Sequence, residues 1–366
     1  MVTGPVVAGT VTRRFGRLLH LGNVVIDVVL NVPALPERGG DVLASGTQVT
    51  PGGGFNVMAA ATARGLPVAY AGGYGSGPFA SLALAALRDA RVEVLQPPKQ
   101  GIDTGFVVTM VDSGGERTFV TSRGAEVTAT AADLAAVRAG PADAVYLSGY
   151  GLLDPGGRPP VLDWLGRLGQ PNLVFFDPGP LVASVPGGVL DRVMRRADWL
   201  TCNAREAALL TGRDDPPAAA RALAEASREG LGRLEAPREG FGPRRREGPG
   251  RRAGVLVRTG PDGCLLALAG AGTPDPVHVP GFRVRVLDTN GAGDTHTGTF
   301  IAALAGGADA VAAARTANAA AALSVTRRGP ATAPSEAELA RFLAARQEPR
   351  PSGVSPRRPR PGAGTR

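Results

Sequence analysis

Four short apolar runs from residue 144 onward alternate with helical stretches, and this rhythm constrains the fold more than any other feature. The runs lie at 144–150, 172–179, 198–203 and 254–260. Each has the length and the flanking turn residues of a strand. Strands that alternate with helices form parallel sheets covered on both faces, because each crossover helix must pack against one face. The sequence therefore predicts an α/β fold with a mostly parallel central sheet.

The earlier part of the chain departs from this rhythm. Residues 17–32 are predicted to form one buried strand, and 51–66 run from glycines into an alanine-rich helix. Around 33–50 and 102–121 the pattern is β-like, without the helices that parallel strands require. We therefore expect a small β-sheet lid from about 33–50 and 102–121, attached to one domain that spans 18–346.

The formal net charge of +8 is concentrated in three segments. Residues 228–252 and 347–366 each carry a net charge of +4, and the first 17 residues add three arginines. The rest of the chain is mildly acidic, and the basic segments are too rich in Pro, Gly and Arg to bury a core. We expect a flexible N-terminal extension over 1–17, a flexible insertion at about 229–253 and a disordered basic tail over 347–366, with no specific nucleic-acid partner.

Several classes of protein are excluded by what the sequence lacks. No apolar stretch reaches the roughly 18 residues of a membrane span, and the N-terminus lacks the order of a signal peptide. Two cysteines, Cys202 and Cys264, fit a cytoplasmic protein better than a disulfide scaffold. There is no G-x-x-x-x-G-K-S/T loop, which excludes a P-loop NTPase. The three histidines form no metal-ligand pattern, so carboxylates and backbone amides are expected to carry any chemistry.

The strongest chemical signal is the heptapeptide Asp288-Thr-Asn-Gly-Ala-Gly-Asp294, which leads directly into a helical stretch. Gly291, Ala292 and Gly293 can present backbone N–H groups at the positive end of that helix, which suits a phosphoryl group. An Asp in the same turn can accept the proton of an attacking hydroxyl. The alternative is a glycine-rich turn in which Asp294 is an ordinary N-cap.

Together with three other segments, this heptapeptide resembles the ribokinase (PfkB) family of carbohydrate kinases. The motifs follow the order of the family, and the likeness extends over 18–346 apart from the insertion. It implies a ribokinase-like three-layer αβα sandwich with a mostly parallel central sheet and a small β-sheet lid. The other matching segments are 22–27 with 52–56, the N-x-x-E motif Asn203-Ala-Arg-Glu206, and 318–329 beside adenine.

The resemblance implies an ATP-dependent kinase that phosphorylates a hydroxyl of a small sugar or sugar-like substrate, with Asp294 as general base. It also implies Mg²⁺ and a homodimer formed through the lid. The residues expected around the substrate are Asp27, Gly52, Gly53, Asn56 and the lid residue Arg117. Those expected around ATP and Mg²⁺ are Asn203, Glu206, Thr259, Gly260, Gly263 and Asn318, with a monovalent cation such as K⁺ beside Asp288.

Simpler roles remain open for several of these residues. Asp27 can accept hydrogen bonds and Asn56 can both donate and accept them, which suits a substrate with two neighbouring hydroxyls. The alternative is that Asp27 caps a strand end and Asn56 caps a helix. Glu206 can instead be a solvated residue on the first turn of its helix. For the whole chain, the alternatives are a nucleoside kinase of the same fold and a non-catalytic sugar-binding regulatory protein.

The chain also departs from the family pattern at three places. Arg258 stands where the family often has Thr, and His296 where a Phe is common. Residues 175–180 lack the Asn and Arg that some sugar kinases carry there. No evident basic cluster accompanies the substrate motifs, which argues against a sugar phosphate as the acceptor.

Overall fold

The computed structural model describes residues 15–169, 171–226, 253–268 and 275–346. The predicted extension, insertion and tail therefore lie almost entirely outside the described residues. Within these ranges, no helix combines the length and apolar character that crossing a membrane demands.

Thirteen strands in the described residues form two sheets, one of nine strands and one of four. In chain order they are β1 (Arg17–Leu21), β2 (Val24–Asn31), β3 (Gly46–Gly53), β4 (Val68–Tyr70), β5 (Glu93–Val94), β6 (Phe106–Val111), β7 (Arg117–Ser122), β8 (Asp143–Ser148), β9 (Val174–Asp177), β10 (Trp199–Asn203), β11 (Gly254–Arg258), β12 (Gly263–Leu268) and β13 (Val277–Pro280).

The main sheet has the strand order β13-β12-β11-β10-β9-β8-β1-β4-β5. All its neighbours are parallel from β11 to β5, whereas β12 and β13 run antiparallel at one edge. The four apolar runs from residue 144 onward form the consecutive strands β8, β9, β10 and β11. The α/β fold with a mostly parallel sheet is therefore confirmed, while the antiparallel edge was not predicted.

Helices cover both faces of this sheet. They are α1 (Gly54–Thr62), α2 (Pro78–Asp89), α3 (Ala131–Ala136), α4 (Arg158–Arg167), α5 (Gly187–Arg196), α6 (Ala204–Thr211), α7 (Pro216–Ala226), α8 (Ala292–Ala305), α9 (Ala310–Ser324) and α10 (Glu336–Ala344). Successive side chains of β1 alternate between two cores: Leu19 packs with α3 to α7, and Leu18 packs with α1, α2, α8 and α9. This alternation is what a sheet buried on both faces requires.

The lid is the four-stranded sheet, ordered β3-β2-β6-β7. The prediction of one strand over 17–32 is wrong, because the chain leaves the main sheet between β1 and β2. The amide of Gly22 turns back to donate to Nδ1 of His20 at 3.1 Å. The amide of Val24 then donates to the hydroxyl of Tyr70 at 3.2 Å. The second half of the apolar run consequently joins the lid.

Candidate active site

The turn before α8 needs glycine at Gly291. Its φ is +71°, and a Cβ there would lie 2.1 Å from the carbonyl oxygen of Pro330. Gly291 is the N-cap residue, and no side chain in the described part of the chain caps this terminus. The amide of Ala292 donates to the carbonyl of Thr289 at 3.3 Å. The Ala292 amide is therefore engaged within the turn, whereas the positive end of the α8 dipole suits an anion.

Asp294 lies in the first turn of α8, within that positive end. Nδ2 of Asn56 donates to Oδ2 of Asp294 at 2.9 Å, while Oδ1 of Asn56 is buried without a partner in the described residues. Burial raises the pKa of Asp294 to about 6, against the opposing effect of the Asn56 hydrogen bond. A carboxylate with a pKa just below neutrality is suited to accept a proton. Because the N-cap of this helix is Gly291, the alternative of Asp294 as an ordinary N-cap is wrong.

Close packing of α1 against α8 brings Asn56 and Asp294 together. A Cβ at Gly298 of α8 would lie 2.3 Å from the carbonyl oxygen of Val57 in α1, so the two helices meet backbone to backbone. α1 begins at Gly54, immediately after the lid strand β3. The lid is therefore joined without a loop to the helix that carries Asn56.

Asp27 lies in the middle of lid strand β2, opposite Thr50 of β3 and Val107 of β6. Burial, together with the charge of Asp294, raises the pKa of Asp27 to about 6. A Cβ at Gly52 would lie 2.2 Å from Oδ2 of Asp27, so any larger residue there would displace this carboxylate. Gly53, at φ +60°, is the N-cap of α1. The structure thus brings the predicted substrate residues of 22–27 and 52–56 together near Asp294.

Arg117 joins the lid to the turn. Its Nη2 lies 2.6 Å from Oδ1 of Asp288, and Arg117 belongs to lid strand β7 whereas Asp288 belongs to the turn before α8. Burial alone would raise the pKa of Asp288, but the amides of Asn290 and Gly329 and the Arg117 guanidinium outweigh it and lower that pKa. Arg117 thus contacts Asp288, and its predicted role in substrate binding stays a prediction.

Sequence reasoning missed a buried cluster around Arg258 beneath the turn. Nη1 and Nη2 of Arg258 each lie 3.2 Å from Oδ2 of Asp177, and Nη1 donates to Oγ1 of Thr297 at 2.9 Å. Nη2 also lies 3.7 Å from Oε2 of Glu206. The side chains of Arg258, Asp177 and Glu206 are only 13%, 12% and 4% exposed. The signal was the departure from Thr at 258, but nothing in the sequence identified its partners.

Asn203 and Glu206 cap α6 reciprocally. Oδ1 of Asn203 accepts from the amide of Glu206, and Oε2 of Glu206 accepts from the amide of Asn203, both at 2.8 Å. Glu206 is buried, so the alternative of a solvated residue is wrong. Burial and the neighbouring charge of Asp177 raise its pKa, while Arg258 opposes this. The pair is placed at the carboxyl end of β10, where α/β folds bind ligands.

The other predicted nucleotide residues shape the antiparallel edge. The amide of Thr259 donates to the carbonyl of Gly263 at 2.8 Å, and a Cβ at Gly263 would lie 2.2 Å from the carbonyl oxygen of Val279. Gly260, at φ +68°, lies exposed between them. The side chain of Asn318 is buried, donating to the carbonyl of Val279 and contacting Nε2 of His296, both at 2.9 Å. It therefore holds β13 against α8.

Known proteins with similar sequences are carbohydrate kinases. The profile described as pfkB family carbohydrate kinase matches residues 17–234 and 248–337. An uncharacterized sugar kinase of Escherichia coli K12, YegV, is 30% identical over 323 residues, covering 88% of this chain and 92% of that protein. An ATP-dependent ribose-1-phosphate kinase of Halopiger xanaduensis is 29% identical over 336 residues, covering 90% and 99%.

Solved structures share the fold. Ribokinase from Giardia lamblia has a TM-score of 0.70 at 22% identity, covering 90% of this chain and 99% of that one. Arabidopsis thaliana ribokinase, complexed with ribose and ATP, has a TM-score of 0.67 at 23% identity with the same coverage. The three-layer sandwich with its lid is therefore confirmed as ribokinase-like. The chain belongs to the pfkB family of carbohydrate kinases.

Proposed function

We propose that this carbohydrate kinase transfers the γ-phosphoryl group of ATP to a hydroxyl of a small sugar, with Asp294 as general base. The observation that carries the proposal is the buried Asp294 carboxylate in the first turn of α8, beside the helix terminus. The proton acceptor and the positive end of the helix dipole thus lie within one turn of each other. In-line phosphoryl transfer needs positioning and electrostatic stabilisation more than covalent chemistry.

Each neighbour of Asp294 has a distinct part in this proposal. Asn56 orients the Asp294 carboxylate through Nδ2 and keeps its buried Oδ1 for a donor such as a substrate hydroxyl. Asp27, on the lid, accepts hydrogen bonds from other hydroxyls of the acceptor. The amides at the start of α8 stabilise the charge on the phosphoryl group. The lid keeps water from competing with the acceptor.

Mg²⁺ is expected to arrive with ATP. In the described ranges, no group of three or more His, Cys, Asp or Glu side chains could hold a metal ion alone. This fits Mg²⁺, which keeps several waters and is held largely by substrate phosphates. Glu206, in the N-x-x-E motif, is the carboxylate that would help to hold it, through water. When bound, it would neutralise charge on the phosphate oxygens.

An unphosphorylated acceptor fits the charges of the site better than a sugar phosphate does. The two arginines described above are already paired, Arg117 with Asp288 and Arg258 with Asp177. A second phosphate on the acceptor would need guanidinium or ammonium groups that are not engaged in this way.

An ATP-consumption screen over sugars, polyols, nucleosides and sugar phosphates tests this function. We expect turnover with an unphosphorylated sugar and little with any sugar phosphate. Preferred turnover of a nucleoside would favour the nucleoside kinase instead. Tight binding of one sugar without any ATP consumption would contradict the kinase proposal and favour a regulatory protein.

Activity is expected to fall as the pH drops through about 6. A protonated Asp294 cannot accept the hydroxyl proton, and its pKa is raised to about 6 by burial, so the active form is lost below that value. The pKa of Asp27 is also raised to about 6. The activity should therefore fall more steeply with decreasing pH than the protonation of one group allows. The measurement is kcat/KM for the acceptor from about pH 5 to 8, with ATP affinity followed in parallel. A flat profile at constant ATP affinity would contradict the assignment.

A further inference from the structure

The Asp288 carboxylate is held by three donors from different parts of the molecule. Oδ1 accepts from Nη2 of Arg117 at 2.6 Å and from the amide of Asn290 at 2.9 Å, and Oδ2 accepts from the amide of Gly329 at 3.0 Å. The amides of Leu287 and Asp288 both donate to the carbonyl of Val325, at 2.8 and 3.2 Å. Asp288 thus ties the turn before α8 to the loop after α9.

These contacts do not fit the monovalent cation expected beside Asp288. A carboxylate has about four lone-pair positions, and three of them are taken. The charge on this carboxylate is already balanced by the Arg117 guanidinium, which would repel a second cation placed against the same oxygens. A guanidinium remains charged at every physiological pH. The place of an alkali ion at this carboxylate is therefore filled by a side chain.

We propose that Arg117, carried by the lid, acts as the permanent counter-cation of Asp288 and positions the phosphate-binding turn, so that the chain needs no K⁺. This inference rests on the proposed phosphate role of that turn. Arg117 acts through Asp288, whose hydrogen bond to Asn290 holds the residue before Gly291. It is a positioning residue, and it makes the geometry of the turn depend on where the lid lies.

The lid contacts the same region at a second point. A Cβ at Gly329 would lie 3.1 Å from Nε2 of Gln48 in β3, so that strand also lies against the loop that donates to Asp288. Gly329 has a φ of +98°, a conformation in which other residues are strained. Both edge strands of the lid, β3 and β7, therefore meet the loops around Asp288. A shift of the lid would be felt at this carboxylate.

The test compares ATP affinity and thermal stability in KCl and in tetramethylammonium chloride at equal ionic strength. Wild-type protein should bind ATP equally in both salts, within about twofold, because Arg117 supplies the charge. Arg117→Ser should bind ATP roughly tenfold more weakly without K⁺. K⁺ should restore much of that loss by occupying the vacated position, with a matching rise in melting temperature. Arg117→Lys keeps a positive charge but not the planar guanidinium. Its ATP affinity in K⁺-free buffer should lie between those of the wild type and Arg117→Ser.

Arg123→Ser is the matched control, since Arg123 follows the same strand and pairs more loosely with Asp154 at 3.8 Å. Its ATP affinity should show no response to K⁺.

Strongly K⁺-dependent ATP binding by the wild type would overturn the inference. So would an Arg117→Ser variant whose only defect is a raised KM for the acceptor, which would make Arg117 a substrate ligand. If wild-type ATP binding is salt-independent but no acceptor is turned over, the kinase proposal fails and this inference does not.

Discussion

Asp294→Asn should lower kcat by roughly 10²- to 10⁴-fold or more, with ATP binding largely retained. The amide has nearly the shape of the carboxylate, and its oxygen can still accept from Nδ2 of Asn56, but it cannot take up the proton of an attacking hydroxyl. The loss should therefore appear in turnover more than in affinity. Steady-state kinetics with the acceptor found by screening, together with calorimetric titration of ATP, measures both quantities.

Asp309→Asn is the matched control, because Asp309 also lies at the start of a helix. It caps α9, where Oδ1 accepts from the amide of Ala312 at 2.8 Å, and asparagine caps equally well. Its kcat and stability should be close to wild type. If Asp294→Asn kept near-normal turnover, another group would have to be the base.

Arg258→Met should destabilise the protein by about 3–5 kcal/mol, because removal of one partner leaves buried charges uncompensated. Asp177 and Glu206 would both lose the guanidinium that faces them, and Oγ1 of Thr297 would lose its donor. Methionine fills a similar volume without the charge, so the cost would come from electrostatics more than from a cavity. Urea denaturation measures the change in the free energy of unfolding.

Two further variants separate this effect from a general cost of losing an arginine. Arg192→Met removes an exposed pair with Asp163, at 3.1 Å, and should cost no more than about 1 kcal/mol. Adding Asp177→Asn to Arg258→Met should recover part of the loss, since one uncompensated charge disappears. A cost for Arg258→Met as small as that of Arg192→Met would mean that the buried cluster is not stabilised in this way.

Most of the central sheet could be predicted from the sequence because its strands are local apolar runs. The runs at 172–179 and 198–203 became β9 and β10, and β9 ends directly before Pro178 and Gly179, which mark that boundary in the sequence. The division of 17–32 between two sheets could not be predicted in this way. Its apolar pattern continues across Gly22, and the turn there depends on His20 and Tyr70, which are set by packing.

The candidate site was predictable where the motif and the site lie in one stretch of chain. The turn ending at Asp294 and the glycines at 52–54 stand out as short motifs, and the family resemblance gave them their expected roles. The Arg258 cluster could not, since its members come from β9, α6, β11 and α8 and meet only after the sheet has formed. The burial of Asn318 was missed for the same reason, because it depends on where β13 crosses α9.

The proposed acceptor residues and the phosphate-binding turn lie at opposite ends of the sequence. Asp27 and Gly52 belong to lid strands near the N-terminus, whereas Gly291 and Asp294 belong to a turn near the far end of the chain. Under the proposed function, substitutions around Asp27 would change which alcohol is accepted without changing the turn, provided that Arg117 keeps its contact with Asp288. Acceptor preference and phosphate binding would then be encoded in separate halves of the chain.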